Sequence, residues 1–242
     1  MTKIAKSLAV MAHKLKAHSS LDHDDVNALL ALPHTVKNCK SLTTLTNSRE
    51  SFENCFVLLS GAAIRYKTTV DGARQIVAVY VPGDVLNLDR IHLNFADDDI
   101  QTMTRANVAI ITRDAFNELS RTRSTVARAF FANTLIDASI SREWLLNIGR
   151  RDARSRIAHF LCELSVRFAI PGSGQGQAYV LPFSQEQLAD VLGITAVHVN
   201  RMMRTLEDEN LIRRDGREIT FPRWEALCTA SGFSSRYLLM RG

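Results

Sequence analysis

The sequence predicts an α+β chain: an antiparallel, jelly-roll-like β-roll near the N-terminus, one long helix after it, and a C-terminal winged helix-turn-helix. Three observations carry this. From about Lys40 to Thr112, short β-rich runs alternate with turn residues. From Asp114 to about Asn147, no Pro or Gly interrupts a stretch with helical spacing. Phe183 to Phe221, "FSQEQLADVLGITAVHVNRMMRTLEDENLIRRDGREITF", opens on a capping signal, turns at a glycine and closes on an Asp-Gly hairpin. A chain of 242 residues is long enough for two modest cores, and the divisions are placed at 1–113, 114–148 and 149–242.

The first twenty or so residues read as a helix. "SLDHDDVNALLALP" reads as a further one, capped by Ser20, with acids in its first turn and Pro33 as its stop. His13, His18 and His23 recur every five residues, a spacing that scatters them around a helix and suits surface histidines, not a metal site. The strand runs follow: "CFVLLSG", "AAIRYKTTV", "QIVAVYVPGD" and "VAIITRD". "VDGA", Val70 to Ala73, signals a tight hairpin between two of them.

The long helix carries Ala127, Phe131, Leu135, Ala138, Ile140, Trp144, Leu145 and Ile148 at apolar positions. That is more apolar surface than one domain face needs. It suits pairing with a second copy, with Ala127, Phe131, Leu135, Ala138 and Leu145 as the seam, or packing on the β-roll. After Gly149, "RRDARSRIAHFLCELSVRF" is another helix, with Ile157, Phe160, Leu161 and Leu164 on one side. "AIPGSGQGQAYVLPFS" is a loop.

In the C-terminal segment, Ser184 and Gln187 form a capping box. Ala189 and Gly193 allow two helices to cross closely through a short turn, and Thr195 caps the second. On that second helix, Val199, Met202, Met203 and Leu206 form the inward stripe. The opposite stripe is Ala196, Val197, Asn200, Arg201 and Arg204. Small residues admit close approach to a major groove, an amide and guanidiniums bond base edges, and Ala196 or Val197 suits a thymine methyl. His198, beside this face, is better placed for phosphate or sugar. The hairpin wing adds Arg213, Arg214 and Arg217. Double-stranded DNA is therefore the expected partner.

Charge agrees without deciding. The net charge is +5, and all 7 Lys lie at or before Lys67. From Asn147 onward there are 13 Arg against 10 acids, a surplus of 3 carried wholly by the residue best suited to phosphates and guanine edges. Cys39, Cys55, Cys162 and Cys228 stand far apart, which fits idle thiols better than zinc or a disulfide framework. The N-terminus lacks the apolar block of a secretory signal, and no apolar run reaches the ~20 residues of a membrane helix, so a cytoplasmic protein is expected. No nucleophile–base spacing, Walker loop or His-Glu-x-x-His occurs, so no enzyme, metal site or cofactor is expected.

Taken together, the chain resembles the Crp/Fnr family of bacterial transcription regulators. The β-roll resemblance rests on "CFVLLSGAAIRY", "DGARQIVAVYVPGD" and "ANVAIITRDAF", the dimer helix and hinge on "REWLLNIGRRDARSRIAHFLCEL", and the reader on "FSQEQLADVLGITAVHVNRMMRTLEDENLI". The resemblance implies a homodimer on a roughly palindromic site, and contact with RNA polymerase if the protein activates. It implies base reading by Ala196, Val197, Asn200 and Arg201, with Val197 standing where the family usually has Glu. It implies phosphate contacts from Ser184, Gln185, Thr195 and His198. In cyclic-nucleotide binders of the family a Gly-Glu pair and an Arg-Ser pair hold the cyclic phosphate. Here Asn87 and Leu88 occupy the Gly-Glu positions as the candidate effector-pocket residues, no Arg-Ser pair follows, and Asp97, Asp98 and Asp99 crowd the region as an expected solvated loop. A cyclic nucleotide is disfavoured, and the effector stays open. The alternative reading is a small-molecule sensor whose winged domain contacts protein.

Overall fold

The computed structural model describes residues 7–47, 53–91, 93, 96–169 and 178–238. The chain divides into two compact units, with the boundary between Ala138 and Ser139. That boundary lies inside the long helix.

The first unit opens with α1 (Ala9–His18) and α2 (His23–Leu30). Asp22, not Ser20, caps α2. Its carboxylate accepts the Asp25 N–H at 2.8 Å, and the Asp25 carboxylate accepts the Asp22 N–H at 3.4 Å, closing a capping box. Seven strands follow: β1 (Thr35–Cys39), β2 (Thr44–Thr46), β3 (Asn54–Ser60), β4 (Ala63–Thr68), β5 (Arg74–Tyr80), β6 (Asp99–Thr102) and β7 (Ala106–Thr112). They form two antiparallel sheets, ordered β1-β7-β3 and β2-β6-β4-β5. The four expected strands are β3, β4, β5 and β7. The short and mostly exposed β1, with β2 and β6, were not anticipated.

The β1-β7-β3 sheet is covered on both faces. Leu58, Ala106 and Val108 face the roll interior with Ala63, Tyr80 and Ile100 of the other sheet. Cys55, Val57, Ala109 and Ile111 face Met11, Leu15, Leu29 and Phe116 of the helices. Double coverage is why "CFVLL" and "VAII" read as continuous apolar runs and not as strict alternation. The β4–β5 hairpin turns through Val70–Gly72, with the Thr69 N–H donating to the Ala73 carbonyl and the Gly72 N–H to the Thr69 carbonyl, each at 2.9 Å.

The expected single helix from Asp114 is two: α3 (Arg113–Thr122) and α4 (Ser124–Arg150), the latter running past Gly149. Between them Arg123 is extended (φ −131°, ψ 95°). The Thr122 hydroxyl donates to the Glu118 carbonyl at 2.8 Å, and the Arg123 guanidinium reaches the buried Asp25 carboxylate at 3.3 Å. Hydrogen bonding from Thr125 and then Arg123 holds the Asp25 pKa below its ordinary value. A buried carboxylate needs a cation, and that need outweighs the helical propensity of "SRTRS".

The second unit, after the α4 C-terminal half, contains α5 (Ala153–Phe168), β8 (Tyr179–Val180), α6 (Gln185–Leu192), α7 (Ala196–Asp208), β9 (Arg213–Asp215), β10 (Glu218–Thr220), α8 (Trp224–Ser231) and a 3-10 turn, Ser235–Leu238. Asp152 caps α5 by accepting the Arg154 and Ser155 N–H groups at 3.0 Å. The wing is a three-stranded sheet, β8-β10-β9, because β8, inside the expected loop, adds to the hairpin; residues 170–177 of that loop lie outside the described residues. Among the described residues no helix is long and apolar enough to cross a membrane.

One glycine fixes the β3–β4 corner. Gly61 has φ +87°, and a Cβ there would lie 2.4 Å from the Arg105 carbonyl oxygen. Gly61→Ala is therefore expected to cost at least about 2 kcal/mol in urea unfolding, from left-handed strain plus backbone overlap. An unchanged unfolding midpoint would contradict this account of the corner.

Candidate nucleic-acid interface

Helices α6 and α7 are set by the local signals the sequence carries. The Ser184 hydroxyl accepts the Gln187 N–H at 3.2 Å, and the Gln187 side-chain oxygen accepts the Ser184 N–H at 2.8 Å. Gly193 ends α6 in the left-handed region (φ +63°), its N–H donating to the Ala189 carbonyl at 2.9 Å. The Thr195 hydroxyl oxygen accepts the His198 N–H at 3.3 Å and starts α7. Val199, Met203 and Leu206 are buried, whereas Met202, expected in that stripe, is only half-buried.

The opposite face is open. Val197 is 82% exposed, Arg201 and Arg204 are exposed, and Ala196, His198 and Asn200 are half-buried. Ser184, Gln185 and Thr195 are exposed too. The first turn of α7 holds no acid, so the positive end of the helix dipole is not neutralised there. Arg201 makes no ion pair among the described residues. An exposed apolar tip beside an amide and two guanidiniums is suited to base edges and phosphates.

The arginines fall into two groups that the sequence does not separate. Arg213 and Arg217 of the wing are exposed, Arg217 donating through Nε to the Leu181 carbonyl at 3.2 Å. Arg214 is instead tied to Glu207 of α7, Nε to Oε1 at 2.8 Å, and this hydrogen bond holds the Glu207 pKa below its ordinary value. Arg154 holds Glu209 through Nε at 2.9 and 3.0 Å. Arg156 donates to three carbonyls: Leu192 at 2.7 Å, Ile148 at 2.9 Å and Arg151 at 3.1 Å. It thereby satisfies helix-end carbonyls of α4 and α6 at once. These three pin α7 and its neighbours in place.

Beneath them lies a buried polar cluster. Glu163, fully buried in α5, accepts from Trp144 Nε1 at 2.9 Å, Arg167 Nη1 at 3.0 Å and the Tyr237 hydroxyl at 2.8 Å. Trp144, one of the apolar positions of the long helix, is thus an inward residue, edge-on to Phe160. The Phe131, Leu135 and Leu145 side chains remain exposed on α4, joined by Leu146, with Ala127 and Ala138 half-buried.

In the β-roll, the candidate pocket residue Asn87 is buried, and both ends of its amide are spent. Its oxygen accepts the Phe56 N–H and its nitrogen donates to the Asn54 carbonyl, each at 2.9 Å, so it pegs β3. Leu88 is buried in a 3-10 turn, Leu88–Ile91. The acidic triplet is not a solvated loop. Asp98 is bound by the buried Arg90, which also donates to Thr46 Oγ1 at 2.9 Å. Arg65 forms a two-point contact with Asp89 at 2.7 and 2.8 Å, and stands 3.6 Å from Asp98. Burial alone would raise the Asp89 pKa, but hydrogen bonds and charge from Arg65 leave it lowered. Only the Asp97 pair, with Lys67, is exposed.

Comparison with known proteins gives two family matches: a cyclic nucleotide-binding domain over residues 36–123 and a Crp-like helix-turn-helix domain over residues 155–230. The nitrogen fixation regulation protein FixK of Rhizobium meliloti (strain 1021) is 33% identical over 178 residues, covering 72% of this chain and 77% of that protein. The transcriptional activator protein FnrA of Stutzerimonas stutzeri is 24% identical over 213 residues, covering 88% and 87%. The structure of FixK2 from Bradyrhizobium japonicum superposes with a TM-score of 0.76 at 25% identity, over 84% of this chain and 100% of that one. These relatives are regulators, not enzymes.

His159 in α5 supplies a test of the buried cluster. Neither ring nitrogen makes a hydrogen bond, and the ring lies against Phe233 and Tyr237. Burial, then the Arg151 charge, pushes its pKa down to about 3. Glu143 stands 3.2 Å from Nε2 but already holds Arg151 at 2.7 Å. The folded pKa lies below the unfolded value, so above about pH 6.5 both states are neutral and the group is silent. Below that, the unfolded chain binds a proton the folded chain refuses, and stability falls by up to about 1.4 kcal/mol per pH unit towards pH 3. His159→Phe is expected to gain on the parent protein in urea unfolding at pH 4.5 relative to pH 7.5; a constant difference between the two would refute the assignment.

Proposed function

The chain belongs to the Crp/Fnr family of bacterial transcription regulators, and from that premise we propose that it acts as a homodimer that reads a roughly palindromic DNA site. The observation that carries this reading is the two-sided α7: Val199, Met203 and Leu206 inside, Val197, Arg201 and Arg204 outside. In this reading two copies of α7 enter successive major grooves about one helical turn apart. Arg201 and Asn200 bond base edges, and Ala196 and Val197 meet methyl groups. Arg204 and Arg217, with Ser184, Gln185, Thr195 and His198, hold the backbone. Val197 offers no acceptor to cytosine, so the preferred site differs from one read by a Glu at that position.

The dimer seam runs along α4. Phe131, at 66% exposure, and Leu145, at 73%, sit with Leu135 and Ala138 at spacings of three, four and seven residues, which is the pattern of paired helices. Functionally, residues 1–113 form the sensor portion, 114–148 the dimer portion and 149–242 the reader. The sensor portion does not take a cyclic nucleotide in this proposal. Arg65 and Arg90, the cations of the roll interior, are already bound to Asp89 and Asp98, and a cyclic phosphate would have to displace those carboxylates. The proposed place of action is the cytoplasm.

Two measurements test the reading. On a duplex selected from a random library, Arg201→Ala is expected to weaken binding by ~1–3 kcal/mol and to relax one base position, with affinity falling steeply as salt is added. Binding insensitive to both would favour a protein partner for the winged region. Phe131→Asp is expected to leave the fold intact, because the side chain is exposed in the single chain, and to give a monomer in sedimentation velocity. A variant that stays dimeric places the seam elsewhere.

A further inference from the structure

Cys162 and Cys228 are 66 residues apart in sequence yet meet in the second unit. Cys162 lies fully buried in α5, 3.9 Å from the Ser231 hydroxyl of α8. Cys228 stands one turn before Ser231 on α8, and the Ser231 hydroxyl donates to the Cys228 carbonyl at 3.1 Å, so the same serine touches both cysteines. Cys228 is half-buried and lines an open cavity of 520 Å³ with Trp224, Glu225, Phe233, Ser234 and Ser235. So one sulfur of the pair is open to solutes and the other is not. The hydrogen bond from Cys162 lowers the Cys228 pKa, against burial and the Glu225 charge, whereas burial pushes the Cys162 thiol strongly up. The other two cysteines, Cys39 and Cys55, are buried in the first unit, and burial pushes the Cys55 thiol up to about 12.

We propose that Cys228 and Cys162 form a dithiol that hydrogen peroxide converts to an intramolecular disulfide, with Cys228 the sulfur attacked first and Cys162 the sulfur that resolves it. In the first step the Cys228 thiolate attacks one peroxide oxygen; the S–O bond forms, the O–O bond breaks and hydroxide leaves. The sulfur loses two electrons and the peroxide gains them, giving a sulfenic acid. In the second step the Cys162 sulfur attacks the Cys228 sulfur; the S–S bond forms, the S–O bond breaks, and the hydroxyl leaves with the Cys162 proton as water. A disulfide needs about 2.05 Å between sulfurs, so closure ties α8 to α5 at the point where Ser231 already meets Cys162. Neither step depends on DNA binding.

The test uses the full chain treated with hydrogen peroxide, alkylated, digested and read by mass spectrometry. Two of the four thiols are expected to become unavailable to alkylation, in one linked peptide pair containing Cys162 and Cys228, while Cys39 and Cys55 stay alkylated. Cys162→Ser is expected to halt at the sulfenic acid, trapped by dimedone on Cys228; Cys228→Ser is expected to give neither product. Brief iodoacetamide labelling of the unmodified protein is expected to reach Cys228 before the other three, a reading that needs no variant to fold. Peroxide leaving Cys228 free for alkylation, a disulfide or sulfenic acid elsewhere, or first labelling at another cysteine overturns the proposal.

Discussion

Helix α5 is enclosed on all sides, every residue from Ile157 to Val166 being buried, and the second unit is organised around that constraint. An enclosed helix has no water to satisfy its polar side chains, so a charged one must be met by neighbouring groups, and His159, which is not, is held neutral. Glu163 is met by α4 through Trp144, by its own helix through Arg167, and by the C-terminal turn through Tyr237. Arg154 and Arg156, at its N-terminal end, reach the end of α7 and the carbonyls of α4 and α6. The exposed face of α7 is therefore presented by a scaffold whose polar bonds are fixed before any nucleic acid arrives, which lowers the ordering cost of binding.

The β-roll holds several of its interior polar groups in bonds of its own. A ligand site leaves a few polar groups unsatisfied so that the ligand can complete them. Here Arg65 and Arg90 have carboxylates of the same chain, and the Asn87 amide is committed to two backbone groups of β3. These bonds lie within the stretch that matches a cyclic nucleotide-binding domain, residues 36–123.

Much of this was legible in the residues, for local reasons. Ser184, Gln187, Gly193 and Thr195 act within three or four positions of themselves, so the pair α6–α7 could be read without tertiary information. The apolar runs of β3 and β7 were equally plain because burial on both faces leaves no ambiguity of composition. What was not legible depends on partners distant in sequence. The break at Arg123 answers to Asp25. Strands β1, β2 and β6 are short and gain their order from pairing with β7 and β4. Trp144 looked like one more apolar position on a helix until Glu163 was placed beside its indole nitrogen. Arginine count carried the same ambiguity: Arg154, Arg156 and Arg214 are indistinguishable in sequence from Arg201, though they serve the fold and not the open face.

The enclosure of the Arg90–Asp98 contact has a consequence for how the two halves of the chain experience their surroundings. Mobile ions arrange themselves around exposed charges over about 8–10 Å at ordinary ionic strength, but they do not enter a packed interior. The Arg90–Asp98 pair, with Arg90 2% exposed, lies out of reach of that atmosphere, whereas the guanidiniums of Arg201 and Arg204 sit within it. One chain thus holds two electrostatic climates: an interior shielded from the ionic state of its surroundings, and a surface whose proposed hold on a polyanion would rise and fall with it.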